Sequence, residues 1–341
     1  MALSQLDLAI DLLAGAGATL AAATSVHETR KALKRLRALI GLLRAELGER
    51  QFAREDALLR DAGMRLAGAR DAEVLVATLD ELVSANPGKL AARRGMGKLR
   101  RQLVAERDRA TEGARDDAWA RAQVVGELRA LRVRVEAWSL ADREGIDSVE
   151  DGLRRIYRQG ARRHRRAARA GAGNGRAMHR WRKRVKDLRY AAVMLDRRDP
   201  NSAKRLTAGA GSGRRSGHER AGAGHIRGLA RLADELGELL GEEHDLALLA
   251  ARLRATGKRG PDPRLKVPAS TRKVLLKLIA RRRRRLRERA LKKGRRLYRR
   301  TPGAFVRRFG DAYADASLAW SSQPTVRTVS TRLPLGSATE T

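Results

Sequence analysis

One pattern, HxxRKxxKxLR, is written twice in this chain, as residues 27–37 and again as residues 179–189, and few structures other than an amphipathic helix accommodate it. At about 100° per residue, its His, Arg, Lys, Lys and Arg fall within about 120° of one another on a helical wheel. They make a cationic stripe about 15 Å long at the helical rise of about 1.5 Å per residue. The first stripe is His27, Arg30, Lys31, Lys34 and Arg37; the second is His179, Arg182, Lys183, Lys186 and Arg189. The opposite face is apolar in both copies: Leu33, Leu36, Leu39, Ile40 and Leu43, then Val185, Leu188, Ala191, Ala192 and Leu195. Each helix therefore has a side that must be buried and a side suited to anions.

A charged helix face most often does nothing but meet water. Two features argue for more. Solubility does not require a histidine and four cations to recur in the same order. On the wheel, Glu28 and Asp187 project away from the stripes, so neutralisation within each helix is expected to be largely missing. The balance of charge points the same way: 75 Lys and Arg stand against 39 Asp and Glu, a net charge of +36 over 341 residues. A polyanion would relieve that self-repulsion. Nucleic acid, an anionic membrane surface and inorganic polyphosphate all qualify.

Aromatic residues make up 3% of the chain, and Trp181, Phe305 and Phe309 lie on apolar helix faces, which leaves little to stack single-stranded bases upon. Neither RGG repeats nor zinc-finger spacings occur, although sequence-independent binding to a duplex backbone stays open. Cysteine is absent, which excludes disulfides and thiolate chemistry and fits a cytoplasmic location. The start of the chain carries Asp7 and Asp11 and no Lys or Arg before Arg30, the wrong polarity for a signal peptide. No apolar run is long enough to predict a membrane span.

Helical periodicity runs through the whole chain and predicts an all-α fold. Helices are expected at 3–22, 25–47, 52–66, 69–84, 89–110 and 115–140, then at 148–169, 176–197, 226–241, 244–256, 270–300 and 303–318. Behind each stripe comes a short Asp-containing segment, ending at Arg70 and Asp71 in the first copy and at His244 and Asp245 in the second. The second copy is longer. Its surplus matches the Gly-, Ser- and Arg-rich stretch 201–224, read as a flexible basic insertion. The repeat divides residues 1–320 into halves of about 1–143 and 144–320, with a disordered tail at 321–341.

The doubled motif, the Asp segments, and a basic helix leading into Thr301, Pro302, Gly303, Ala304 and Phe305 together resemble the CHAD domain, the histidine-bearing α-helical domain, over roughly residues 5–318. The resemblance implies two four-helix bundles in tandem with pseudo two-fold symmetry, and basic residues around a central groove or pore. It implies non-enzymatic binding of inorganic polyphosphate and association with polyphosphate granules. The ExExK pattern of the CYTH domain that accompanies many members does not occur here. Sequence-independent nucleic-acid binding is the alternative.

Polyphosphate is a line of negative charge without bases, and regularly spaced donors suffice to hold it. Arg30, Arg37, Arg182 and Arg189 offer forked hydrogen bonds; Lys31, Lys34, Lys183 and Lys186 offer adaptable point charges. His27 and His179 stand beside cations, which disfavour their protonation until a polyanion arrives, so proton uptake near pH 6 to 7 is expected on binding. Asp71 and Asp245 are expected to orient facing cations by ion pairing rather than to hold a metal, since no second carboxylate stands at a metal-ligating spacing. No cofactor is expected. The run Arg281–Arg296 is assigned supporting electrostatics, with Leu286, Ala290 and Leu297 turned inward.

Overall fold

The computed structural model describes residues 1–15, 22–66, 68–116, 118–138, 147–170, 175–195, 217–255 and 265–321. Among the described residues there are thirteen helices and no strand. The first half contains α1 (Ala2–Ala14), α2 (Ala22–Leu42), α3 (Arg44–Leu47), α4 (Glu49–Arg65), α5 (Gly68–Ser84), α6 (Pro87–Leu90), α7 (Met96–Asp116) and α8 (Ala118–Glu136). The second contains α9 (Glu150–Arg169), α10 (Gly175–Leu195), α11 (Gly217–Arg254), α12 (Ala269–Leu297) and α13 (Pro302–Ser321).

The two motif helices are α2 and α10, and the apolar faces predicted for them are the ones buried. Leu33, Leu36 and Ile40, like Val185, Leu188, Ala191 and Ala192, are at most 2% exposed. Trp181, Phe305 and Phe309 are also core residues. The pairing of helices repeats between the halves. In the first, α1 packs on α2 and α8, α2 on α4, and α5 on α7; in the second, α9 packs on α10 and α13, α10 on α11, and α11 on α12. One long helix, α11, thus does the work of α4 and α5.

That long helix is one departure from expectation. Gly241 and the residues after it were expected to interrupt the chain, yet α11 continues because Leu236, Leu240, Leu246, Leu249 and Leu253 form one unbroken buried stripe. The helix also starts at Gly217, within the predicted insertion 201–224. Residues 201–216, the junction at 139–146 and the tail from 322 onward lie outside the described residues.

The apolar interior is a second departure, because it is not partitioned into two self-contained tandem bundles. One core joins α1, α2, α4 and α8 to α9, α10, the first part of α11 and α13. The other is shared between the halves, with α5 and α7 packing against the end of α11 and against α12. Both halves therefore contribute to each interior.

Specific close approaches fix the seam between α2 and α9. Gly152 lies against the backbone of Leu42, where an added Cβ would collide with the carbonyl, and Arg155 donates to the carbonyl of Gly41. At the far side, Tyr157 stacks on Phe305 at 3.9 Å between ring centroids and donates from its hydroxyl to the Leu297 carbonyl at 3.1 Å. The α13 helix starts in the turn noted in the sequence. Pro302 opens it, and Thr301 Oγ1 accepts from the Ala304 N–H at 3.3 Å, satisfying a donor at the helix start. No helix among the described residues is long and apolar enough to cross a membrane.

Candidate anion-binding site

The packing of α2 against α10 brings the two stripes side by side at their middles. Lys34 is exposed on α2 and lies within electrostatic reach of Lys186, which is half-buried on α10 beside Arg182 and Arg189. Burial first, then the repulsion of Arg182, Lys34 and Arg189, pushes the Lys186 ammonium down to about 8; Asp245 of α11 partly offsets this. The Arg182 guanidinium is also held below its ordinary range by burial, again opposed by Asp245. The buried Arg182 Nε–H, without a hydrogen-bond partner among the described residues, adds to the demand for an acceptor. Lys34, Arg182 and Lys186 thus form a crowded cationic edge contributed by both halves.

Behind this edge the His179 and His244 rings face each other at 4.4 Å and 37°. Burial, then the neighbouring Lys183 and Arg182, lowers the His179 pKa. Burial, then His179 and Arg182, lowers that of His244 to about 4. Both rings are neutral at pH 7, and the Nδ1 of His179 is buried without a hydrogen-bond partner among the described residues. Glu243, only 2% exposed, anchors the start of this segment to α12 through Arg283 and Arg287 at 2.8 and 2.7 Å.

The outer parts of the stripes are engaged differently from expectation. Glu28 does reach the first stripe, binding Lys31 at 2.7 Å across one turn. Arg37 makes a two-pronged pair with Asp56 of α4, at 2.9 and 3.2 Å. Arg189 meets Asp234 of α11 at 2.7 Å. Arg30 donates to the Leu66 carbonyl at 2.8 Å, closing the end of α4 as a cation at a helix C-terminus does. His27 is half-buried at the head of the first stripe, where its charge would act on Glu28. These carboxylates come mainly from neighbouring helices, so no reading of spacing within one helix could reveal them.

Nor do all members of the second stripe face one basin. Arg182, Lys186 and Arg189 line a cleft of about 480 Å³ between α5, α10 and α11, together with Asp245. Four further carboxylates, Glu81, Asp234, Glu238 and Glu242, also line it, so this cleft is of mixed charge rather than uniformly basic. Lys183 turns instead into a separate cleft against α9. Of the two predicted orienting aspartates, Asp245 acts by its charge on Arg182 and Lys186, whereas Asp71 is exposed on the first turn of α5 and is not among the residues lining the cleft. Arg70's side chain lies outside the described set. Among the described residues no group of three His, Asp or Glu is arranged to hold a metal ion.

Sequence reasoning missed His244 as the partner of His179, although both belong to the motif segments. It also missed the arginines of α9, whose signal was their recurrence at three- and four-residue intervals between Arg154 and Arg169. No curated protein matches the sequence. The profile of the CHAD domain matches residues 4–212, which takes in α1 to α10 and both copies of the basic motif. With most of its length so matched, the chain belongs to the CHAD domain family.

Proposed function

We propose that this protein binds inorganic polyphosphate without turning it over, and that the edge shared by α2 and α10 is where the polymer is gripped. The observation that carries the reading is the meeting of Lys34 with Lys186 and Arg182, like charges from two halves held together at a half-buried edge. A folded chain gains nothing from such crowding in isolation, whereas an anion lying along the edge converts the repulsion into attraction. The contact is narrower than ten stripe residues. Lys34, Arg182 and Lys186 form its centre, with His179 and His244 behind them, while Arg37, Arg189 and Lys31 serve partly as structural ion pairs.

Membership of the CHAD family supports polyphosphate over other polyanions. Association with polyphosphate granules follows as an expectation. A net charge of +36 gives some support to the alternative, nucleic-acid backbone binding. Capture on immobilised long-chain polyphosphate at fixed salt, challenged with duplex DNA of equal charge, separates the two. Retention against DNA is expected, together with loss of capture when Lys34, Arg182 and Lys186 are all replaced by Gln. Equal displacement by DNA would replace this reading with the charge-only one, and retention by the triple variant would remove the edge from it. A phosphate-release assay with divalent metal is expected to stay at background.

A further inference from the structure

The flank of α10 turned away from Lys186 lines a second cleft. Arg180 and Arg184 lie about 120° and 160° round the helix from Lys186. With Lys183 they face Arg162, Arg163 and Arg166 of α9 across a concavity of about 380 Å³. Gln159 completes the wall, and no carboxylate is among its described lining residues. Arg184 is held in place, donating to the Gln159 Oε1 at 2.9 Å and meeting Asp187 at 3.2 Å.

The duplication supplies an internal control. By its packing on the motif helix and on the last helix of its half, α1 occupies the place that α9 occupies in the other half. Yet α1 contains Asp7 and Asp11 and no Lys or Arg, whereas α9 contains eight arginines. The fold was repeated and this charge was not, so neither the scaffold nor solubility of that position requires it. Burial first, and then the repulsion of Arg166, Arg180, Arg184 and Arg162, holds the Arg163 guanidinium below its ordinary range.

The chemistry of the cleft narrows its occupant. Six cations around a small concavity match a compact anion carrying several charges, and the planar arginine forks match phosphate oxygens. No aromatic side chain is among its described lining residues, so these offer a base or nucleoside nothing to stack upon. The apolar face of α9, including Leu153, Ile156, Tyr157 and Ala167, is committed to the core and is not available to enter a lipid surface. A duplex is too broad to enter a space of this volume.

We propose that the α9–α10 cleft is a second anion site, absent from the first half, which takes a compact inorganic oligophosphate of the pyrophosphate-to-tripolyphosphate class. It does not depend on the α2–α10 edge binding anything. Free tripolyphosphate and the terminal phosphates of a longer chain present the same chemistry.

The test is calorimetric titration of the full chain with tripolyphosphate, with and without sulfate at matched ionic strength. Arg162, Arg166 and Arg180 are all exposed, so their joint replacement by Gln should leave the melting temperature unchanged. Affinity for tripolyphosphate at this site should fall about tenfold or more in that variant. It should survive both matched sulfate and the Lys34→Gln, Lys186→Gln double substitution. Unchanged tripolyphosphate binding in the triple variant, or loss of the site to matched sulfate, would overturn the proposal without touching the α2–α10 reading. Conversely, long-chain binding that ignores Lys34 and Lys186 removes that reading and leaves this one. Titration with long-chain polyphosphate, its ends either free or blocked as amidates, separates the two sources. If tripolyphosphate and free-ended chains fill the cleft and blocked chains do not, it takes chain ends as well as free oligophosphate; if tripolyphosphate alone fills it, the occupant is a free oligophosphate; if blocked chains fill it too, or nothing does, the cleft is no such site.

Discussion

Replacing Lys186 by Met is expected to stabilise the protein and weaken its hold on polyphosphate at once. Met keeps the length of the aliphatic stem and removes the charge. In the native chain burial, then the repulsion of Arg182, of Lys34 on α2 and of Arg189, partly offset by Asp245 on α11, brings the ammonium's titration down to about 8 from 10.5. At about 1.4 kcal/mol for each tenfold change in a protonation equilibrium, that gap corresponds to about 3 kcal/mol against folding. Lys186 retains some contact with water, and screening trims the expected gain to about 1 to 2 kcal/mol. The sign follows from linkage. Below pH 8 folded and unfolded chains both hold the proton and the cost is fully present; between about 8 and 10.5 the folded chain has released it and the unfolded chain has not, so wild-type stability climbs through that window. Thermal melts should therefore show Lys186→Met higher by about 1.5 to 3 °C at pH 7, with the difference shrinking as pH approaches 10.5. Calorimetry near pH 8.5 in buffers of different ionisation heat should detect proton uptake when wild type binds polyphosphate, and little with the variant. A lowered or unchanged melting temperature at pH 7, or a difference independent of pH, would refute the reasoning.

Arg134→Ala should be more damaging than Glu55→Gln. It leaves a carboxylate of 0% exposure with Arg54 alone, at a cost of about 2 to 3 kcal/mol in denaturant melts, whereas the arginines left behind by the reverse change still reach water. Burial alone would raise the Glu55 pKa, but Arg134 and Arg54 outweigh it and hold it below 4.5. Its contribution is therefore complete above that value and is lost as acid titration passes the lowered one, so Arg134→Ala should raise the pH of acid unfolding. Gly152→Ala should destabilise by about 3 kcal/mol or more, because the new methyl meets the backbone of Leu42 rather than a side chain that can swing aside. Lys34→Ala should weaken polyphosphate binding about tenfold, whereas Arg37→Ala, which breaks the pair with Asp56, should cost about 1 kcal/mol of stability and change affinity little.

The apolar half of the design could be read directly. Leu33, Leu36, Val185 and Leu188 were assigned to the core from periodicity alone, and each is buried. The duplication was equally legible, because repeated chemistry at repeated offsets builds the same helix twice. What spacing could not reveal was which helix stands opposite a charge. Asp56 is nineteen positions from Arg37 and on another helix, and Asp234 reaches Arg189 from α11; both give an arginine of the stripes an ion-pair partner within the fold. A wheel also cannot say on which side of α10 the neighbouring helices stand. That is why Lys183, although inside the same arc as Lys186, enters a different cleft.

These pairings change how the cationic edge should be understood. If every stripe residue were unanswered, repulsion along both helices would oppose the packing of α2 on α10, and the site would tend to open as it charged. Asp56 and Asp234 neutralise cations toward the outer parts of the two stripes, and Glu243 ties the His244 segment to α12 through Arg283 and Arg287. The mutual repulsion of Lys34, Arg182 and Lys186 falls where two halves meet and neither can withdraw without disturbing a shared core. A rigid frame that keeps like charges together leaves electrostatic repulsion that a bound anion would relieve, as fixed dipoles and charges do in preorganised sites. The affinity of this edge should therefore depend on the stability of the frame. Arg134→Ala or Gly152→Ala, neither touching the ligand, should weaken polyphosphate binding near the melting transition in proportion to the fraction unfolded and leave it unchanged well below.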